Sequence, residues 1–103
     1  MLLIHRQANF GKSDEALGCY TNSLRIKPKY ARAWLNMGIS YSNLGDFDEA
    51  SRCYLQTLAL NPDATHCWTY LRMSLSSNEK WDLLPYVFSR DLNSFQDHFD
   101  FVL

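Results

Sequence analysis

Glycine and proline are scarce in this chain, at four and three of 103 residues. With 47% apolar and 20% charged residues, neither disorder nor a fibrous repeat is indicated, and the length suits one soluble globular domain. Charge of one sign is not in excess. Ten basic residues face eleven acidic ones for a net −1, which excludes a general nucleic-acid or anionic-membrane binder working through bulk charge. No long apolar run is present. The longest uncharged stretch, Ala33 to Gly45, is broken by Asn and Ser and falls short of the roughly 20 apolar residues that span a bilayer. The opening Met1-Leu2-Leu3-Ile4 is too short for the apolar core of a signal peptide, and His5 and Arg6 follow at once.

Chemistry-bearing clusters are missing too. Cys19, Cys53 and Cys67 form no CxxC pair and leave one thiol over, a pattern that fits reduced, buried thiols better than a disulfide frame. His5, His66 and His98 are scattered, so no metal and no other cofactor is expected. Ser74, Ser76 and Ser77 lie near His66, but helical spacing sets Ser74 on a different part of the turn and no carboxylate orients the imidazole. No phosphate-cradling glycine loop occurs, and no catalysis is expected.

What is there is a repeat. At an offset of 34 residues, Asn9–Pro28 lies over Asn43–Pro62 with nine identities in twenty positions. Chance supplies about one in such a window. The matches include Gly11/Gly45, Asp14/Asp48, Ala16/Ala50, Cys19/Cys53, Tyr20/Tyr54 and Pro28/Pro62, and the same offset carries Trp34 onto Trp68. A 34-residue period with Trp34, Gly38, Tyr41, Gly45, Ala50, Tyr54 and Pro62 at these places resembles the tetratricopeptide repeat, a helix–turn–helix unit. Gly38 and Ala50 are small where two helices approach closely, and Trp34, Tyr41 and Tyr54 fill the space between them. Gly45 suits a left-handed helix end, Asp46 the following N-cap, and Pro62 stops the second helix.

The expected fold is all-α: helical hairpins in a fragment of a right-handed superhelix, followed by a short C-terminal helical segment. Residues 1–62 hold two repeats, the first truncated at its first helix. Residues 63–103 hold one helix of a degenerate third repeat and further C-terminal helices. Helices are predicted at Leu2–Asn9, Ser13–Ile26, Ala31–Leu44, Phe47–Leu60, Thr65–Ser76, Trp81–Ser89 and Leu92–Phe99, with Pro85 in a first turn and no strand.

The inner surface of such a stack is lined mainly by the first helix of each unit. Within Ala31–Leu44, Trp34, Met37, Gly38 and Tyr41 form the buried stripe. Arg32, Asn36, Ile39 and Asn43, at i, i+4, i+7 and i+11, share one other face. A solvated face usually carries Lys and Glu, whereas this one carries a guanidinium, two carboxamides and an isoleucine. An Asn side chain pairs with a peptide C=O and N–H much as a neighbouring strand does. Arg32 offers a planar fork for a carboxylate, and Ile39 can floor a small pocket. The competing reading of each Asn is a bracket between neighbouring helices.

The stretch Tyr30-Ala-Arg-Ala-Trp-Leu-Asn-Met-Gly-Ile-Ser-Tyr-Ser-Asn-Leu-Gly45 resembles the last full repeat of the peroxisomal targeting signal type 1 receptor family, peroxin-5. Trp68-Thr-Tyr-Leu-Arg-Met-Ser-Leu75, Asp82-Leu83 and Arg90-Asp-Leu-Asn93 are similar to that family's C-terminal helices. The resemblance runs from about Gln7 to the end. It implies a receptor, free of catalysis, that binds the Ser-Lys-Leu type C-terminal tripeptide of peroxisomal matrix proteins for import. It further implies a cytoplasmic protein cycling to the peroxisome membrane, where docking proteins engage the full-length family. Arg32 would support the ligand's terminal carboxylate, Asn36 and Asn43 its backbone and terminus, and Asn9 would join them from the preceding repeat. Family members carry further repeats and a long N-terminal region, so the expectation is a C-terminal fragment. Met1-Leu2-Leu3-Ile4 stands where the family has a Trp-Asn start. The alternatives are a chaperone-type adaptor for acidic C-terminal tails, the repeat segment of a sugar transferase with an asparagine ladder, and a plain scaffold. The first would concentrate cations where this face has Asn. The second leaves the helices after Trp68 unexplained.

Overall fold

The computed structural model describes residues 2–103, with side chains from residue 12 onward. Six helices run α1 (Leu2–Ile26), α2 (Ala31–Asn43), α3 (Phe47–Leu60), α4 (Thr65–Ser77), α5 (Leu84–Phe88) and α6 (Leu92–Phe95), with a 3₁₀ turn at Trp81–Leu83 leading into α5. The fold is all-α, with successive helices packed as hairpins and no strand among the described residues.

The α2–α3 turn is written in its residues. Gly45 takes φ +81, and the N–H groups of Gly45 and Asp46 donate back to Ser42 and Tyr41. That is a left-handed helix end in which glycine carries no side-chain penalty. Asp46 then caps α3, its carboxylate accepting from the Glu49 N–H at 3.3 Å. The two helices meet where Gly38 leaves room. A Cβ added there would lie 2.6 Å from Tyr54 Cε1 and 3.2 Å from Cys53 Cβ. Met37, Gly38, Ala50 and Tyr54 are buried, while Trp34 and Tyr41 of the expected stripe are only partly so. Trp34 stays near the surface because its indole N–H donates to the Pro28 carbonyl at 2.8 Å and the Arg52 guanidinium lies 5.7 Å over its ring.

The first unit departs from expectation. A hairpin with helices at Leu2–Asn9 and Ser13–Ile26 is replaced by one helix, α1. The repeat register supplies the reason: the position of Asp46 is held here by Lys12, which has no oxygen to cap a new helix. Keeping Gly11 inside a helix costs only about 1 kcal/mol. Ser13, freed from a capping role, is buried against α2.

The C-terminal segment closes the other end. Leu83, Val87, Phe95 and Phe101 join Leu55, Leu58, Leu71 and Leu75 in one buried cluster. The expected helix Trp81–Ser89 is the 3₁₀ turn plus α5, in which Pro85 occupies the first turn. The expected helix Leu92–Phe99 ends at Phe95 because the chain must turn back to α3. Gln96 Nε2 donates to the Phe101 carbonyl at 3.1 Å. Gln56 on α3 then holds Val102 at both backbone groups, donating to its C=O at 2.8 Å and accepting from its N–H at 2.9 Å. Between α3 and α4, the buried Ser51 and Ser74 hydroxyls bond at 2.7 Å, and Ser74 also donates to the Leu71 carbonyl. Asp48 at the start of α3 takes both Lys80 and Asn78 at 2.8 Å.

The Gly38–Tyr54 contact yields a stability test. Gly38→Ala should lower unfolding stability by about 1–3 kcal/mol in urea titration, and pairing it with Tyr54→Leu should recover part of that loss. Full stability in the single variant would show that the two helices can move apart freely.

Candidate functional site: the exposed face of α2 and α4

With α1 packed on one side of α2 and α3 and α4 on the others, one stripe of α2 is left for contact with other molecules. Arg32 and Asn43 are exposed, and Asn36 and Ile39 half-buried. From Arg32 to Asn43 the helix rises about 16 Å, the length of four or five residues of extended peptide. The four are not equivalent. Ile39 packs against the core cluster under α3 and α4. Asn43 Nδ2 donates to Ser13 Oγ of α1 at 3.4 Å, a long bond between neighbouring helices that leaves its Oδ1 open. Asn9 lies outside the residues whose side chains are described.

Arg32 lines a depression of about 260 Å³ together with Leu35, Thr57, Asn61 and His66. It opens where the first turns of α2 and α4 meet, and neither Tyr30 nor Ala64 caps its helix with a side chain. Uncapped helix starts present N–H groups and positive dipole ends, and Arg32 and the exposed His66 add donors. Ala31, Ala64 and Cys67 complete a wall that is mostly apolar, and Thr57 and Asn61 bring the C-terminal end of α3 to it, so the donors sit on one side of the depression.

His66 escaped the sequence reading as a site residue, although the repeat register held the signal. The 34-residue offset carries Arg32 onto His66, Asn36 onto Tyr70, Ile39 onto Met73 and Asn43 onto Ser77. All four of these α4 residues are exposed, with Tyr70 at 37% and Met73 at 55%. Tyr70 stacks on Tyr54 with ring centroids 5.7 Å apart. The face therefore has a polar stripe on α2 and a partly apolar one on α4. Ser74, by contrast, is buried in its hydroxyl pair with Ser51, far from any role beside His66.

The cysteines divide. Cys53 and Cys67 are buried, and Cys67 Sγ donates to the Tyr54 carbonyl at 3.3 Å. Cys19, expected buried with them, is exposed. Its repeat partner Cys53 is covered because α3 sits against α2, whereas no described helix covers the corresponding side of α1. Among the described residues no three His, Cys, Asp or Glu side chains gather as a metal site. No described helix is long and apolar enough to cross a membrane.

Residues 31–64, which comprise α2, α3 and the turn after them, match the family model of the tetratricopeptide repeat. Residues 31–64 thus form a tetratricopeptide repeat, a unit that generally serves in protein–protein interaction. No curated protein matches the chain closely enough to refine that assignment.

Burial pushes the Cys53 and Cys67 thiols from the ordinary 9.0 up to about 12, so both stay protonated and unreactive at neutral pH. Burial also raises the Tyr41 hydroxyl. Groups that ionise more readily in the unfolded chain stabilise the fold fully below their unfolded values and lose that contribution as pH climbs towards the folded ones. The melting temperature should therefore hold up to about pH 9 and fall between there and about pH 12, less steeply in Cys53→Ala/Cys67→Ala. Ellman's reagent on the native chain should titrate one thiol, Cys19, quickly. Fast labelling of all three would contradict the burial of the other two.

Proposed function

We propose that the α2/α4 face binds the extended C-terminal tail of a partner polypeptide, and that the tail is the Ser-Lys-Leu type carried by peroxisomal matrix proteins. The supporting observation is exposed Arg32 lining a depression beside His66, with Asn36 one turn along the same stripe. In this reading the terminal carboxylate lies against Arg32, His66 and the uncapped helix starts, and Asn36 pairs with the peptide backbone. The open oxygen of Asn43 accepts a further N–H, and Asn9 contributes from the preceding unit. Ile39, anchored in the core, gives the groove a rigid floor. The partners are then matrix proteins in the cytoplasm and, through the full-length receptor, docking proteins at the peroxisome membrane.

Sequence likeness to the receptor family and the polar stripe favour this over a chaperone-type clamp, which needs a second cation where Asn36 stands. Fluorescence anisotropy with a labelled peptide ending in Ser-Lys-Leu tests it. Asn36→Ala should weaken binding by about 1–3 kcal/mol, the usual cost of leaving a buried polar group unpaired. Amidating the peptide should weaken it as well, because Arg32 loses the charge it faces. Equal affinity for the free acid and the amide would falsify the proposal.

A further inference from the structure

We propose that the notch between α4 and the α5–α6 turn is a second peptide site, which takes an acidic segment bearing an apolar side chain beside its carboxylate. The notch encloses about 210 Å³ and is lined by Trp68, Thr69, Arg72, Val87, Phe88 and Arg90. That volume equals about seven water molecules, which suits one residue's side chain and its flanking charge rather than a drug-sized ligand.

The composition of the wall selects the ligand. Two arginines from different elements meet a threonine hydroxyl, and no acidic residue lines the cavity. Both arginines are exposed, and neither forms an ion pair among the described residues. The nearest acid in sequence, Asp91, is committed elsewhere: its oxygens accept from the Ser94 N–H at 3.3 Å and the Ser94 hydroxyl at 2.6 Å. Its carboxylate therefore caps α6 and forms no ion pair with either arginine. Phe88 is 72% exposed and Trp68 lies beneath, so the same cavity offers aromatic surface to an apolar group. Two arginines and two aromatic side chains lining one cavity match a carboxylate with an apolar neighbour.

The backbone of Arg90 adds a separate observation. Its φ is 54, its N–H donates to the Val87 carbonyl, and the Asp91 N–H donates to Tyr86. This is the helix end that favours glycine, and a side chain there is strained. Glu79 takes the same conformation after α4, at φ 57, so the strain alone marks no site. What distinguishes Arg90 is that it shares a cavity with Arg72.

The strain makes the test discriminating. The probe is acetyl-Glu-Glu-Phe-Glu-Glu-amide, titrated into the isotope-labelled 103-residue chain while the Trp68 indole and arginine Nε–H resonances are followed. Both peptide ends are blocked, so no terminal carboxylate is offered to the α2/α4 face; Arg32→Gln should leave the titration unchanged, and a loss of binding in that variant would place the glutamates beside Arg32 and overturn the proposal. Arg72→Gln and Arg90→Gln should each weaken binding about tenfold, as expected for one charge-assisted contact. Arg90→Gly should raise the melting temperature and still weaken binding by a similar factor. The proposal is overturned if Gln-Gln-Phe-Gln-Gln binds as well, if Arg90→Gly binds as tightly as the parent, or if inorganic phosphate alone produces the same shifts.

Discussion

Tyr54 seated against the bare backbone of Gly38 sets the distance between α2 and α3, and the other elements take their positions from that pair. With the two helices this close, Ala50, Cys53 and Leu58 are sealed, and the far side of α3 is presented to α4 and the C-terminal segment. Eight of the fourteen α3 residues are buried as a result. A helix enclosed on so many sides reaches the candidate face only at its C-terminal end, through Thr57 and Asn61. The flanking helices α2 and α4 keep one stripe each clear of neighbours, and the candidate binding face is built from those two stripes.

The two stripes differ in chemistry although one repeat generates both. On α2 the stripe carries a guanidinium and two carboxamides, Arg32, Asn36 and Asn43. On α4 the corresponding positions carry His66, Tyr70, Met73 and Ser77. A polypeptide lying between them would find backbone pairing on one wall and contact with a soft thioether and an aromatic ring on the other.

The second unit was legible because its signals are local. Gly45, Asp46 and Pro62 each fix a helix end through their own backbone or side chain, and α3 runs from Phe47 to Leu60 as its residues dictate. The stripe on α2 followed from spacing alone. The first unit was misread because the repeat's identities drew attention to Gly11 and away from Lys12, the one position at which a missing cap decides between a turn and a continuous helix. The C-terminal tail was opaque for another reason. Nothing within Gln56 or Val102 announces a pairing between residues 46 positions apart, which exists only once α4, α5 and α6 have turned the chain back. Ile39 shows the same limit on a smaller scale: its place on the helix was evident, but its burial depends on α4.

One detail of the α3–α4 interface reaches further than its size suggests. The Ser51 and Ser74 hydroxyls satisfy each other in a surrounding of leucines that are indifferent to sliding. A shift of α4 would break that bond and deprive the buried Ser51 hydroxyl of it, while Ser74 would keep its bond to the Leu71 carbonyl. The pair thus acts as an alignment key: apolar contact holds the two helices together, and the hydroxyl bond marks the register in which both buried oxygens are satisfied.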